Sequence, residues 1–359
     1  EAGAVYMADG YARASGTTGA ALVTAGPGLT NALGPLFALS KTETPLLLMS
    51  GDSPVQLDMS MPFQRMQQTA VAGPLVKDSW RAHQPSQLAN DIAGAIQLAH
   101  SGRPGPVHIA LPQDILTSAA DAPSLHEDQF KPETMALAAA DLPSIMNMFE
   151  SAEKPLIITG PSLHETRAPG VGKALEDALG IPVICMQSPR GLNDPSAGRI
   201  KKVLQDADAI LLIDKDVDFT LASGNPELVT AAKISLISAQ AESIAHASTI
   251  LAGRLHWGCI GDPHTAVEAL MGITVFHGPK KWRQSVHKAL AERPTPPPLT
   301  ARLTAYHIAA IMGEVMADHD PLYVIDGGET GQWAQSVLPS ELSLTNGLSG
   351  AIGGAIPQA

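Results

Sequence analysis

The alternation of apolar and polar positions divides the chain into short buried strands and amphipathic helices. From Glu1 to about Ser15, Ala4, Val5, Ala8, Tyr11 and Ala12 recur at helical spacing, and Gly3 and Ala4 leave room for a close neighbour, which predicts a helix ending near Gly16. "GAALVTA" reads as a strand stopped by Gly26, Pro27 and Gly28, and Thr30 and Asn31 open a second helix running to about Lys41. "TPLLLMSGD" reads as the next strand, "SQLANDIAGAIQLAHSG" as a helix and, after the punctuating "GRPG", "PVHIALP" as another strand. Continuous apolar strands alternating with helices imply an α/β fold, with a parallel sheet covered on both faces.

The pattern divides further along the chain. Residues 1–115 form one predicted domain, and 116–141 a polar, Ala-rich connector. Residues 142–285 form a second α/β domain with strands at "PLIITG", "IPVICM", "AILLID" and "KISLIS". Pro294, Pro296, Pro297 and Pro298 make residues 286–300 a semi-rigid linker, because consecutive prolines favour extended polyproline structure. Residues 301–359 begin a third unit: the helix "TAYHIAAIMGEVMADH", the strand "PLYVID", a loop at Gly327, Gly328, Glu329 and Thr330, and a helix containing Trp333. "ALVTAGPGLTNAL" and "YVIDGGETGQWAQ" echo one another as strand, glycine loop and helix. The third unit holds only about two strands before "GAIGGAIPQA" starts another helix, and Glu1 already lies in a helical pattern. The chain is therefore expected to be a piece of a larger enzyme, truncated at both ends.

Composition narrows the function classes. At 359 residues, two or three domains are expected. Hydrophobic residues make up 45% and aromatics only 4%, so small aliphatic side chains and glycine build the interior. The formal charge of −12, without a basic run, argues against nucleic acid or an anionic membrane as partner. No apolar run approaches the roughly 18 residues that span a bilayer, and a cytoplasmic location is expected. Cys185 and Cys259 have no CxxC spacing, and none of the 12 histidines has HxxxH or HExxH spacing, so no metal ligand set is read from the chain.

Several residues have both a chemical and a structural reading. Glu1 is either a working carboxyl group or a helix-start carboxylate that stabilises the helix dipole. Asn31 either bonds a ligand or caps its helix, and "MPFQRMQQ" is either a substrate loop or polar surface. Gly26, Pro27 and Gly28 lie at the edge where open α/β sheets meet ligands, and their glycines let backbone approach a flat ring. Asp318, His319 and Asp320 read as a solvated turn.

"EAGAVYMADGYARASG", "VTAGPGLTN" and "GRPGPV", taken together, resemble the thiamine diphosphate-dependent enzymes of the acetolactate synthase group. The resemblance implies three domains, pyrimidine-binding, central and diphosphate-binding, with active sites formed between subunits of a dimer or tetramer. It implies that Glu1 contacts the aminopyrimidine ring and favours its imino tautomer by sharing a proton. Gly26, Pro27, Gly28 and Asn31 would line the ring, Gly328, Glu329 and Thr330 would face the diphosphate, and Gly350 and Ile352 would supply a backbone acceptor and an apolar wedge, often methionine in that family. Phe63, Gln64 and Lys77 match substrate-side positions, with Gln64 also suited to a developing oxyanion; Arg65 stands where an acid is usual. Magnesium would bridge the diphosphate through ligands outside this chain.

In the segment where many relatives carry a glycine and an arginine that help hold FAD, this chain has Asp214 and Asp216, which would repel a pyrophosphate. The "DFTL" that follows resembles benzaldehyde lyase-like and 2-hydroxyacyl-CoA lyase-like relatives. The expected function is a decarboxylating carboligase of small 2-oxo acids such as pyruvate, as in branched-chain amino acid biosynthesis. The alternatives are a C–C lyase of 2-hydroxyacyl-CoA or benzaldehyde lyase type, and a non-catalytic structural homologue.

Overall fold

The computed structural model describes residues 1–121, 123–273, 276–295, 297–298, 303–319, 321–338 and 343–359. Two compact units are present, Glu1–Glu133 with Gly347–Ala359, and Thr134–Asn346.

The first unit opens with α1 (Ala2–Ser15), which Gly16 ends in a left-handed conformation. There follow β1 (Gly19–Val23), α2 (Pro27–Thr42), β2 (Leu46–Asp52), α3 (Gln68–Ala72), β3 (Ser79–Arg81), α4 (Leu88–His100), β4 (Pro106–Pro112) and α5 (Gln113–Thr117). The strands pair in parallel in the order β1-β2-β4-β3. Successive residues of a strand point to opposite faces. Leu46 and Leu48 therefore pack with Val5, Leu29, Leu36 and Leu39 of α1 and α2, while Leu47 packs with Val107, Ile109 and the α4 alanines Ala95 and Ala99. Helix α2 starts at Pro27 rather than Thr30, since proline suits the first helical turn, where its missing N–H costs nothing.

Helix α1 departs from the apolar pattern. Tyr11 is exposed, whereas Asp9 and Arg13 are buried. The buried stripe is completed by the segment Gly347–Ala359: the Gln358 Nε2 donates to Asp9 Oδ2 at 2.5 Å, and Arg13 Nη1 lies 3.7 Å from the same oxygen. The close approach expected at Gly3 occurs instead at Gly10, where a Cβ would stand 2.0 Å from the Gln358 carbonyl oxygen. The stretch expected to begin a third domain, 301–359, thus divides between the two units.

The second unit comprises α6 (Leu142–Glu150), β5 (Pro155–Thr159), α7 (Val171–Leu179), β6 (Val183–Cys185), α8 (Ile200–Asp206), β7 (Ala209–Ile213), β8 (Lys233–Ser238), α9 (Ala241–Leu251), β9 (Leu255–Ile260) and α10 (Pro263–Met271). After these come α11 (Lys280–Ala291), α12 (Ala305–Met316), β10 (Tyr323–Ile325), α13 (Gly328–Val337) and β11 (Ser343–Thr345). Its main sheet is parallel, in the order β6-β5-β7-β8-β9, with a separate parallel pair β10-β11. Residues 286–291, expected in the linker, continue α11, and Val286 is buried in the core beside Trp282. Pro296 and Asp320 lie outside the described residues. Among the described residues, no helix is long and apolar enough to cross a membrane.

Candidate active site

In an open parallel sheet, the loops leaving the C-terminal ends of the strands share one edge, where ligands are received. In the first unit that edge is built from the loop after β1 and the longer loop after β2. Gly26 has φ 59° and ψ −102°, a conformation that glycine adopts without steric cost. No side chain caps α2, whose first residues are Pro27 and Gly28. A Cβ on Gly28 would stand 2.7 Å from Thr24 Cγ2 and 3.5 Å from Glu1 Cγ, so the side chains of Thr24 and Glu1 pack directly against the glycine and leave no room for a larger residue. Glu1 begins α1 with an exposed side chain, and its Oε2 accepts a hydrogen bond from Asn31 Nδ2 at 3.3 Å. Asn31 lies within α2 and turns to Glu1 rather than capping its own helix. The structure therefore brings Glu1, Gly26, Pro27, Gly28 and Asn31 to one place.

The loop after β2 is tied down at its start. Asp114 accepts the N–H groups of Val55 at 3.0 Å and Gln56 at 3.2 Å. Desolvation works against ionisation of Asp114, but the N–H groups of Val55, Gln56, Asp114 itself and Ile115 outweigh it and hold the carboxyl below its usual range. Arg81 Nε lies 2.6 Å from Asp52 Oδ2, and Arg81 Nη2 donates to the Ser53 carbonyl at 2.7 Å. Further along, Gln64 takes a left-handed φ of 60°, and its carbonyl oxygen lies 3.0 Å from where a Gly26 Cβ would stand. Phe63 beside it is 88% exposed. The Gln64 backbone thus packs against the glycine loop, with Phe63 next to it in sequence.

Lys77 does not join this group. Its ammonium donates to the Ser101 carbonyl, and its stem lies against Gly105, just before β4 begins. That is the opposite edge of the sheet, about 20 Å away along a strand of this length. Lys77 thus lies beside the start of β4 and is not brought together with Glu1, Gly26 and Asn31.

Gly350 and Ile352 lie in the segment Gly347–Ala359 of the first unit. This segment is anchored by Gly347 against Thr42, at the end of α2 remote from Pro27, by Gly354 against Tyr6 and by Gln358 on Asp9. Gly350 has φ 65°, and Ile352 is 76% exposed. In the second unit, Gly328, Glu329 and Thr330 form the first turn of α13, where the Gly328 carbonyl accepts from Arg190 Nη2 at 2.9 Å. The Glu329 carboxylate accepts from Trp333 Nε1 at 3.4 Å, and Asp326 Oδ1 takes the Gly327 N–H at 2.7 Å, so carboxylates surround this helix start.

The acidic loop after β7 is folded in on itself. Asp214 is buried, with φ 49°, and its Oδ1 accepts from Ser238 Oγ at 3.3 Å. Lys215 is 2% exposed, and its ammonium donates to Asp218 Oδ2 at 2.7 Å and to the Asp216 carbonyl at 3.0 Å. A dinucleotide pyrophosphate does not fit this loop: the carboxylates would repel it and the cation is already bonded. Among the described residues, no group of three or more His, Cys, Asp or Glu side chains could hold a metal ion.

Sequence patterns pointed to the glycines and Glu1 but not to Thr24, Asp114 or Gln68, whose parts depend on which loops meet.

Comparison with known proteins agrees with this geometry. The family described as "Thiamine pyrophosphate enzyme, N-terminal TPP binding domain" matches residues 1–71. The acetolactate synthase isozyme 3 large subunit of Escherichia coli is 33% identical over 190 residues, which cover 52% of this chain and 33% of that protein. The 2-hydroxyacyl-CoA lyase 2 of Danio rerio is 31% identical over 269 residues, covering 62% of this chain and 42% of that protein. The E. coli acetolactate synthase isozyme 1 large subunit is 22% identical across the whole chain, which covers 65% of it. The chain spans about a third of the length of the acetolactate synthase large subunits from E. coli isozyme 3 and Lactococcus lactis. Residues 1–71 thus match a thiamine pyrophosphate-binding N-terminal domain, and the chain as a whole is similar to acetolactate synthase large subunits and to a 2-hydroxyacyl-CoA lyase.

Proposed function

We propose that the protein carrying this chain is a thiamine diphosphate-dependent carboligase that decarboxylates a small 2-oxo acid. The observation that carries the reading is the Glu1–Asn31 pair beside Gly26–Gly28 on the sheet's ligand-facing edge. Thiamine diphosphate, when bound, supplies a thiazolium carbon able to act as nucleophile. The residues of the chain have separate tasks around it. Glu1 shares a proton with a nitrogen of the aminopyrimidine, and Asn31 holds the carboxyl group in place by its hydrogen bond. Gly26 and Gly28 let the backbone of the turn approach a flat ring closely. Gln64 offers an amide donor to the oxygen that gathers negative charge, and Phe63 shields the substrate from water. Gly328, Glu329 and Thr330 keep the diphosphate-facing role that the resemblance implies, through their backbone amides and in a site shared with a second copy of the protein; the nearby Asp326 and Glu329 carboxylates are bonded to the Gly327 N–H and to Trp333. Gly350 and Ile352 keep the backbone-acceptor and wedge roles, which the exposure of Ile352 leaves it free to perform. No magnesium ligand is assigned, and the self-paired loop after β7 supports leaving FAD out. Self-association is part of the reading, supported by the exposed Met59, Met61 and Phe63.

The test is pyruvate consumption by the protein carrying this chain, supplied with thiamine diphosphate and Mg²⁺. Glu1→Gln should lower turnover by about 10²- to 10⁴-fold, and full turnover in that variant would overturn the role of Glu1. A second reading, cleavage of a 2-hydroxyacyl-CoA, is favoured by the likeness to the Danio rerio lyase, which extends over 269 residues against 190 for the isozyme 3 synthase subunit. Aldehyde release from a 2-hydroxyacyl-CoA without pyruvate consumption would establish it. Tight cofactor binding with neither reaction would favour the non-catalytic homologue.

A further inference from the structure

We propose that Gln68 is a positioning residue whose buried carboxamide locks the Phe63–Gln64 loop onto the glycine loop at Gly26. The proposal rests on the cofactor reading above for its consequence, but the lock itself is a matter of geometry. Gln68 is the first residue of α3, immediately after the long loop, and is 2% exposed. Its Oε1 accepts the Gly26 N–H at 3.3 Å, and its Nε2 donates to the Gly51 carbonyl at 2.8 Å. Only one orientation of the amide satisfies both partners, since a flip would set donor against donor and acceptor against acceptor.

Three segments meet in that one side chain: the turn after β1, the end of β2 and the start of α3. Gly26, with its left-handed φ, stands outside the strand pairing of β1, and its N–H finds an acceptor in Gln68. The same turn touches the Gln64 backbone. Asp114 fixes the beginning of the long loop through Val55 and Gln56, and Gln68 fixes its end. Between these anchors Met59, Met61 and Phe63 project into solvent. Freeing the second anchor would let Phe63 and Gln64 shift against the ring site, and a misplacement of about 1 Å can cost about 100-fold in rate.

The experiment compares Gln68→Met, which removes both hydrogen bonds at similar size, with Gln68→Glu, which keeps an acceptor for the Gly26 N–H and loses the donor to Gly51. Backbone amide exchange at Gly26 is measured in the protein carrying this chain without cofactor, and then kcat, KM for pyruvate and thiamine diphosphate affinity. Gln68→Met should speed Gly26 exchange at least tenfold, Gln68→Glu less so. With turnover, kcat/KM for pyruvate should fall about 10- to 100-fold in Gln68→Met, while cofactor affinity changes less than about threefold. Unchanged Gly26 exchange in a folded Gln68→Met variant overturns the lock whatever the activity. A parallel loss of cofactor affinity and kcat/KM overturns it too, because that is the mark of general damage. Faster Gly26 exchange in a protein whose parent form neither binds thiamine diphosphate nor consumes pyruvate supports the lock and overturns the cofactor reading.

Discussion

Both units end their parallel strands in loops with unusual backbone, yet the two edges use their polar groups in opposite ways. In the first unit, Gly26 takes its left-handed turn without steric cost, and Glu1 remains exposed with one weak tie to Asn31. In the second, Asp214 takes a left-handed turn that a side chain makes costly, and Lys215 is buried against Asp218. The first edge keeps its carboxyl group available, and the second uses its charges to close its own loop. The same α/β architecture yields an edge with an exposed carboxyl group or a closed one according to whether loop charges are satisfied from within.

The comparison can be broken at four points. The largest effect is expected at Glu1, where Glu1→Gln should lower kcat by about 10²- to 10⁴-fold without changing the unfolding midpoint, as steady-state kinetics and thermal denaturation would show. Next, Asp218→Ala should leave the Lys215 ammonium buried without its carboxylate and destabilise the second unit by about 3–5 kcal/mol in urea unfolding. Adding Lys215→Met should recover most of that loss. A penalty below about 1 kcal/mol would show that the pair does not hold the loop closed.

Acid should act on the first unit through His108. Its ring is fully buried on β4, its nitrogens hydrogen-bonded to Ser50 Oγ and Ser79 Oγ at 2.8 Å each. Burial pushes its pKa down from 6.5 to about 4. The unfolded chain therefore takes up a proton that the native ring resists. The stabilisation is complete above about pH 6.5, is lost as the pH falls toward 4 and changes no further below that, by roughly 3 kcal/mol in all. Urea titrations across this window should lose that slope in His108→Gln. The smallest effect belongs to Gly26→Ala, where the positive φ should cost about 1–2 kcal/mol and loosen the Gln64 contact; a neutral result would mean that the turn is easily remade.

The apolar runs were enough to locate β1, β2, β4, β5 to β8 and β10; strands buried on both faces, such as β4 and β7, advertise themselves most clearly, whereas β1 exposes Ala20 and Leu22 on its second face. The three-residue strand β3 and the partly exposed β9 lacked that signal, being too short or too polar. Helix α1 was legible in extent but not in facing, since its buried Asp9 and Arg13 depend on Gln358, remote in sequence. At the candidate site, glycine punctuation marked the loop after β1, and the family resemblance marked Glu1. The place of Lys77 was not legible, because nearness in sequence to Phe63 crosses the sheet to its other edge. Gln68 stayed hidden because a glutamine among glutamines shows its value only when two backbone partners converge on it.

The most direct test of the ligand edge is to follow the backbone amide resonances of the chain while thiamine diphosphate and Mg²⁺ are added. The account predicts that shifts concentrate at Gly26, Gly28 and Asn31 and are lost or displaced at those positions in Glu1→Gln. Saturable shifts confined to the loop after β7, with Gly26 and Gly28 unmoved, would contradict it.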